Sequence, residues 1–342
     1  MEKKSYGMLD VAKFISALLV IAIHCAPFIE INETLNFVYV QIIARLAVPF
    51  FFMASGWLFF RKIDASAGWR DENNLCQLKH YWKRIARIYI IWSLLYVPLL
   101  ALSWIQGGFA MATLLRLVRD FLFNGTYYHL WFLSALLWGV PMVYWMYTNW
   151  RRQAVLIVSL LLYVIGMAVN VYGVLIMNIP IIGSLLKLYE SVLVTTRNGF
   201  FFAPIFLTLG IYVDEIVGGR YKKQSVLAFL ISFAAYTGEA LALRHMGIMN
   251  DLTSMYALLI PAVFFLFMFL MQFSFRSNFI LEGMRKQSLL IYVSHIYFVY
   301  IWLYIFPNAH LWVYLLSILC SYVFSVLVLK LVRRWPRCKV LM

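Results

Sequence analysis

Residues 8–29 read MLDVAKFISALLVIAIHCAPFI, the first apolar stretch of the chain. At about 1.5 Å per residue, a helix over this stretch can cross a hydrocarbon core of ~30 Å. Three ionisable side chains interrupt it, those of Asp10, Lys13 and His24. Such side chains are costly inside a membrane helix and usually serve a function there, so they are candidate functional residues. The length and the charges also differ from those of a cleavable signal peptide, and we expect none.

Lys13 and His24 lie on one face of this predicted helix. They are eleven residues apart, which at ~100° per residue brings them within ~20° of alignment and ~16 Å apart along the axis. One interpretation is a buried stripe that holds the phosphate of a coenzyme thioester at Lys13 and its reactive end at His24. The other is a lysine that extends to the lipid headgroups and a histidine that packs against a neighbouring helix.

The composition identifies the class of protein. Of 342 residues, 64% are hydrophobic and 13% are charged, and the mean hydropathy is +0.83. A soluble domain of this length is not so apolar, so the sequence predicts an all-α polytopic membrane protein whose partner is the lipid bilayer. We expect a single integral membrane domain over 1–342 and no soluble domain.

Apolar stretches predict ten transmembrane helices, at 8–29, 37–60, 84–106, 128–148, 154–173, 198–214, 224–243, 253–273, 287–306 and 310–331. With an even number, both termini lie on one side. Of the 29 Lys and Arg residues, 22 fall on the side of the termini and five on the other side. This asymmetry predicts that both termini of the multi-pass protein are cytoplasmic.

The net charge of +15 does not indicate nucleic-acid binding, because the excess lies in short loops next to the bilayer. The four cysteines show no spacing typical of a metal site, so we expect no metal. The motifs G-x-S-x-G, Walker A and H-E-x-x-H do not occur in the sequence. Any chemistry would therefore depend on histidine, arginine and carboxylate side chains within the membrane.

Arg45 and Ser55 lie in the second predicted span, Arg45 near the depth of His24 and Ser55 near the depth of Lys13. A buried arginine needs a partner or an anionic ligand, or it extends to the outer surface. Lys83, Arg84 and Arg87 form a basic entrance to the third span. Such clusters attract lipid headgroups, and they also bind phosphate groups of a coenzyme.

Six further residues are candidates for binding a substrate, five of them toward the outer side of the membrane and His295 near its middle, although each also has an ordinary structural explanation. The aromatic and histidine residues suit the interfacial belt or hydrogen-bonded packing, and the polar ones suit loop edges. These six residues are His129, Trp131, Arg197, Asn198, Glu239 and His295.

Several segments, taken in order, resemble the acyltransferase family 3 membrane proteins. Lys13 and His24 are similar to the family's (R/K)-x10-H motif, and FFMASG, residues 51–56, is similar to its FF-x-x-SG segment. KRIARIY at 83–89, HLWFL at 129–133 and SLLIYVSH at 288–295 resemble three further family segments. The likeness covers nearly the whole chain.

The resemblance implies a multi-pass protein of the bacterial plasma membrane. It also implies transfer of an acyl group, usually acetyl, from a cytoplasmic acyl-CoA to a hydroxyl acceptor of the cell envelope. His24 would then act as the general base, and Arg45 would stabilise developing negative charge. Lys13, Ser55, Lys83, Arg84 and Arg87 would bind the donor.

Within the family, residues 196–210 and 251–256 resemble the membrane half of the vancomycin-resistance serine racemases. We expect the racemase half to be absent from this sequence. This second likeness implies an alternative function, the membrane transport of serine or a similar small solute.

Overall fold

The computed structural model describes residues 7–107, 111–176, 179–217, 222–249, 253–273 and 279–342. Within these ranges the chain is helical and contains no β-strand, which confirms the all-α prediction. The α-helices of the described residues are α1 (Gly7–Cys25), α2 (Glu33–Phe37), α3 (Ala47–Phe60), α4 (Glu72–Leu95), α5 (Val97–Gly107), α6 (Met111–Arg119), α7 (Trp131–Asn149), α8 (Arg152–Asn170), α9 (Gly173–Ile176), α10 (Pro180–Leu193), α11 (Ala203–Val217), α12 (Lys222–His245), α13 (Leu259–Leu270), α14 (Phe279–Ile305) and α15 (His310–Arg334).

Seven helical segments of the described chain are long and apolar enough to cross a membrane. Each overlaps one of the ten predicted spans, although Thr113–Asn149 begins well before the span predicted at 128–148. They are Gly7–Cys25, Glu33–Phe60, Thr113–Asn149, Arg152–Asn170, Gln224–His245, Ile280–Ile305 and His310–Arg334.

The other three predicted spans contain shorter or interrupted helices. The span predicted at 84–106 is divided at Tyr96 into α4 and α5. Pro98 explains the division, because it cannot donate a backbone hydrogen bond to Leu94 and its ring clashes with that carbonyl. The spans predicted at 198–214 and 253–273 contain the shorter apolar helices Ala203–Asp214 and Leu259–Leu270. The total of ten spans stays a prediction.

The second span changes its helical form where it reaches Arg45. After α2 the chain makes a π-helical segment, Val38–Ile43, and a 3₁₀ turn, Ala44–Leu46, before α3 begins. Pro49 accounts for the irregularity, since it provides no N–H for the carbonyl of Arg45 and its ring excludes a regular α-turn there. Arg45 therefore lies at a break in the helix.

The chain forms two compact units, which we describe separately. Unit 1 consists of Met1–Ala54, Val213–Leu241 and Leu258–Met342, and unit 2 of Ser55–Tyr212 and Ala242–Ala257. In unit 1, helices α1, α14 and α15 pack around a buried apolar core. Its fully buried members include Ala17, Ile21, Ile291 and Val313.

In unit 2, helices approach one another closely where one residue is glycine. A Cβ atom added to Gly56 of α3 would lie 2.8 Å from the Cα and 2.9 Å from the carbonyl carbon of Leu207 in α11. A Cβ added to Gly166 of α8 would lie 2.7 Å from the methyl group of Met255. The backbones at these two points are therefore too close for a larger residue.

Candidate functional site

Lys13 and His24 both lie on α1, as predicted, Lys13 in its first half and His24 in its last turn. The ammonium of Lys13 forms an ion pair with Asp10, at 3.3 Å between Nζ and Oδ1. Only 13% of the Lys13 side chain and 11% of the Asp10 side chain are exposed. Asp10 therefore partly neutralises the cation at this depth. The spacing i, i+3 could have indicated this pair from the sequence.

His24 and His295 meet in unit 1. Their ring centroids are 5.3 Å apart, with the ring planes tilted by 31°. Nδ1 of His295, a fully buried residue, lies 2.7 Å from the carbonyl oxygen of Tyr292 and 3.2 Å from that of Ile291. Because carbonyl oxygens only accept hydrogen bonds, Nδ1 of His295 carries a proton and donates it. The structure thus brings together two of the predicted site residues, on α1 and α14.

Arg45 is held by neighbours within unit 1. It is 8% exposed, and its Nε donates a hydrogen bond to Oε1 of Gln41 at 2.8 Å. The hydroxyl of Tyr236, on α12, donates to the backbone carbonyl of Gln41 at 3.0 Å and approaches that of Ile42 at 3.3 Å. These carbonyls belong to the π-helical segment, where the regular ladder is disturbed. Gln41 and Tyr236 were not among the predicted site residues. The polar side chain of Gln41, four positions before Arg45, was a signal in the sequence that could have indicated this partner.

Glu239 of α12 has a structural partner in unit 1. Its Oε2 accepts a hydrogen bond at 2.7 Å from the backbone N–H of Leu258, directly before α13. A carboxylate at this position satisfies a free N–H and interacts favourably with the helix dipole. Substrate binding by Glu239 stays a prediction.

The basic face of α4 consists of Lys83, Arg84 and Arg87, and all three side chains are exposed. Ser55, in the preceding helix, is hydrogen-bonded to Tyr81 of α4. Ser55 and the basic face belong to unit 2, whereas Lys13 belongs to unit 1.

The loop that leads into α4 is closed by side-chain hydrogen bonds. Buried Asn74 donates to the carbonyl of Asp64 at 2.7 Å and accepts from its N–H at 3.0 Å. The hydroxyl of Ser66 donates to the carboxylate of Asp64 at 2.6 Å, and its backbone N–H donates at 2.9 Å. These bonds lower the pKa of the Asp64 carboxyl, the hydroxyl bond most strongly. The carboxylate is therefore ionised at neutral pH and keeps the loop in this conformation.

His129, Trp131 and Arg197 are surrounded by aromatic rings in unit 2. The buried His129 ring makes edge-to-face contacts with Tyr96, at 4.8 Å between centroids, and with Tyr127, at 5.9 Å. The guanidinium carbon of Arg197 lies 5.0 Å from the centre of the Trp131 ring, a cation–π distance. Trp131 and Arg197 are thus neighbours, as a shared site would require.

Asn198 uses its whole side chain to shape the segment before α11. Its Oδ1 accepts from the N–H groups of Phe200 at 2.9 Å and Phe201 at 3.1 Å. Its Nδ2 donates to the hydroxyl of Tyr189 at 3.0 Å and to the carbonyl of Thr195 at 2.9 Å. A substrate would have to compete with these bonds, so the geometry favours a structural role for Asn198.

The segment 196–210 and residues 253–256, the described part of the segment 251–256, meet on α8. The hydroxyl of Thr196 donates to the carbonyl of Gly166 at 2.7 Å and contacts the sulfur of Met255 at 3.5 Å. Asn170 accepts hydrogen bonds from the backbone of Ser254 and Met255. Asp251 lies outside the described residues. Among the described residues, no group of three or more His, Cys, Asp or Glu side chains could hold a metal ion.

Comparison with known proteins gives two kinds of relative. A profile of the acyltransferase 3 family, described as an acyltransferase domain, matches residues 6–332. An amino-acid racemase of Enterococcus faecalis is 33% identical over 298 residues, which are 86% of this chain and 40% of the racemase. A second amino-acid racemase of that species is 29% identical over 343 residues, which are 98% of this chain and 47% of the racemase.

A serine/alanine racemase of Enterococcus gallinarum is 30% identical over 260 residues, which are 76% of this chain and 36% of the racemase. The chain therefore spans less than half the length of these three relatives. No solved structure matches the chain. The profile match extends over nearly all 342 residues, and the protein is accordingly a member of the acyltransferase 3 family.

Proposed function

We propose that the protein is a membrane O-acyltransferase that moves an acyl group, usually acetyl, from cytoplasmic acyl-CoA to a hydroxyl of a cell-envelope component. The observation that carries the proposal is the position of His24, in the last turn of α1, next to His295. Family membership supplies the reaction class. The neutral imidazole is the side chain best suited to proton transfer near neutral pH.

In the proposed reaction, His24 takes the proton of the acceptor hydroxyl while its oxygen attacks the thioester carbonyl carbon. The carbonyl oxygen becomes an oxyanion, for which Arg45 is the proposed stabilising cation. When the oxyanion collapses, the C–S bond breaks and the imidazolium returns its proton to the coenzyme A thiolate. The products are the acyl ester and free coenzyme A. His295 is proposed to contact the acceptor next to His24.

The donor's phosphate groups are proposed to bind basic side chains. Lys83, Arg84 and Arg87 offer an exposed cationic face, and guanidinium groups match phosphate oxygens in geometry. Lys13 and Ser55 are proposed as further donor-binding residues. On the outer side, the proposed acceptor-binding residues are His129, Trp131 and Arg197 in unit 2 and Glu239 in unit 1, whereas Asn198 shapes the segment that follows Arg197.

Replacing Arg84 and Arg87 together by glutamine should weaken acyl-CoA binding by about 1–3 kcal/mol for each charge-assisted hydrogen bond lost. Titration of the purified protein with acetyl-CoA measures this. The matched control is R333Q together with R334Q, which removes two arginines from the end of α15 and should leave the affinity unchanged. Normal donor binding by a folded R84Q/R87Q protein would mean that this face only contacts lipid headgroups.

The proposed orientation places the beginning of α4 and both termini in the cytoplasm. Cys76 is exposed on α4, so a protein that keeps only this cysteine should react with a membrane-impermeant maleimide after permeabilisation and not in intact cells. Thr34, exposed on α2, is predicted on the outer side, and T34C should react in intact cells. Reversed labelling of the two positions would contradict the orientation.

The racemase relatives favour a second candidate function, the membrane transport of serine or a similar small solute. The three relatives are named as racemases of amino acids, and the alignments of two of them cover more than four-fifths of this chain. A buried charged residue such as Arg45 is also typical of solute-binding sites in membranes. Uptake of labelled serine by proteoliposomes without acyl-CoA would support this function.

A further inference from the structure

The helix that carries His24 ends in an unusual way. α1 stops at Cys25, the residue directly after His24, and the next residue, Ala26, has a φ of +47°. This left-handed conformation favours glycine, and a non-glycine residue adopts it only where its surroundings hold it. Within α1 the turn is held by one bond, from the N–H of Ala26 to the carbonyl of Ala22 at 2.9 Å, and contacts from elsewhere in unit 1 add to it.

His310, the first residue of α15, supplies two of these contacts. Its Nδ1 lies 2.6 Å from the carbonyl oxygen of Cys25. Since a carbonyl only accepts, Nδ1–H donates, and it satisfies a carbonyl that has no partner within α1. The backbone N–H of His310 donates to Oε2 of Glu30 at 3.3 Å. One residue of α15 thus binds both the end of α1 and the connection that follows.

We propose that His310 is a positioning residue for His24, a role that rests on the proposed acyl transfer. The last turn of a helix frays easily, because its carbonyls lack intrahelical partners. The imidazole of His24 projects from this turn, so fraying would displace it from the acceptor hydroxyl. A displacement of about 1 Å costs up to roughly 10²-fold in rate. Capping by His310 keeps the turn helical.

The test compares three variants. H310A removes the imidazole donor. H310N keeps it, because the amide Nδ2 of asparagine is as many bonds from Cα as Nδ1 of histidine. Y314F is the matched control, one turn further along α15. It removes the 2.8 Å hydrogen bond between the hydroxyls of Tyr314 and Tyr39 and a longer one, 3.5 Å, to the carbonyl of Leu18 in α1, but it keeps the aromatic ring and the bond from His310 to the Cys25 carbonyl.

For H310A we expect a fall in kcat of about 10- to 100-fold with nearly unchanged KM for acetyl-CoA. H310N should recover most of kcat, and Y314F should keep it. Amide hydrogen exchange over residues 22–26 should be faster in H310A and close to wild type in the other two. A merely structural contact would lower the melting temperature without this kcat difference between alanine and asparagine.

Unchanged kcat in H310A, or H310N as slow as H310A, would overturn the positioning role. Unchanged amide exchange in H310A would overturn the cap itself. If the wild-type protein transfers no acyl group, the proposed function fails, and with it the role in catalysis. The exchange measurement still decides whether His310 fixes the end of α1.

Discussion

H24A and H24Q should both lose about 10²- to 10⁴-fold in acyl-transfer rate, the usual contribution of a general base. Alanine removes the imidazole, whereas glutamine keeps a polar side chain of similar reach that cannot take a proton. Both proteins should still insert into the membrane. They should also bind acetyl-CoA, since the proposed phosphate contacts at Lys13 lie ~16 Å along α1 from His24. The measurement is the transfer rate together with the melting temperature in detergent.

The control for these variants is H245Q, at the exposed end of α12, which should behave like the wild type. A histidine that only packs would tolerate glutamine and would lose stability with alanine. A solute transporter would retain substantial flux with glutamine, at a changed affinity. Near-normal acyl transfer by H24Q would therefore remove the general-base role and favour transport.

G56A should destabilise the protein by about 3 kcal/mol or more, at the upper end for overpacked sites. The added Cβ would overlap the backbone of Leu207 on α11, including its carbonyl oxygen. A backbone cannot move aside as a side chain can, so α3 and α11 would have to separate. We expect a much lower melting temperature and reduced yield in membranes. Gly56 is the last residue of the FFMASG segment. The close packing of α3 against α11 explains why this position holds a glycine.

The matched control is G238A. Gly238 lies in α12, and a Cβ added there has no heavy atom within 4 Å. Alanine is better than glycine in a helix by about 1 kcal/mol, so G238A should melt at the same or a higher temperature. An unchanged melting temperature for G56A would mean that the close approach of α3 and α11 is wrong.

The sequence was sufficient for the helices that have a long apolar run, such as α1 and α15. The sequence was less informative about the helix breaks near Pro49 and Pro98. Both prolines can be read from the sequence, but their effect on the helix depends on the surrounding structure. For example, the π-helical segment before Arg45 is stabilised by a hydrogen bond from Tyr236, which belongs to a helix far away in the sequence. Hydropathy alone cannot predict such a contact.

The candidate site shows the same limit. The spacing of Lys13 and His24 predicts a shared face of one helix, and both residues lie on α1. Periodicity within one helix does not determine which other helix it meets, so the contact between His24 and His295 could not be predicted. The same holds for the hydrogen bond from His310 to Cys25.

The most direct test of acyl transfer uses inverted membrane vesicles that contain the protein, supplied with acetyl-labelled acetyl-CoA on the side predicted to be cytoplasmic. We predict that label becomes covalently attached to envelope material in wild-type vesicles, with equal release of free coenzyme A, and that neither occurs with H24Q. Equal labelling by wild type and H24Q would contradict the account. Labelling by wild-type vesicles that does not exceed the labelling of vesicles without the protein would also contradict it.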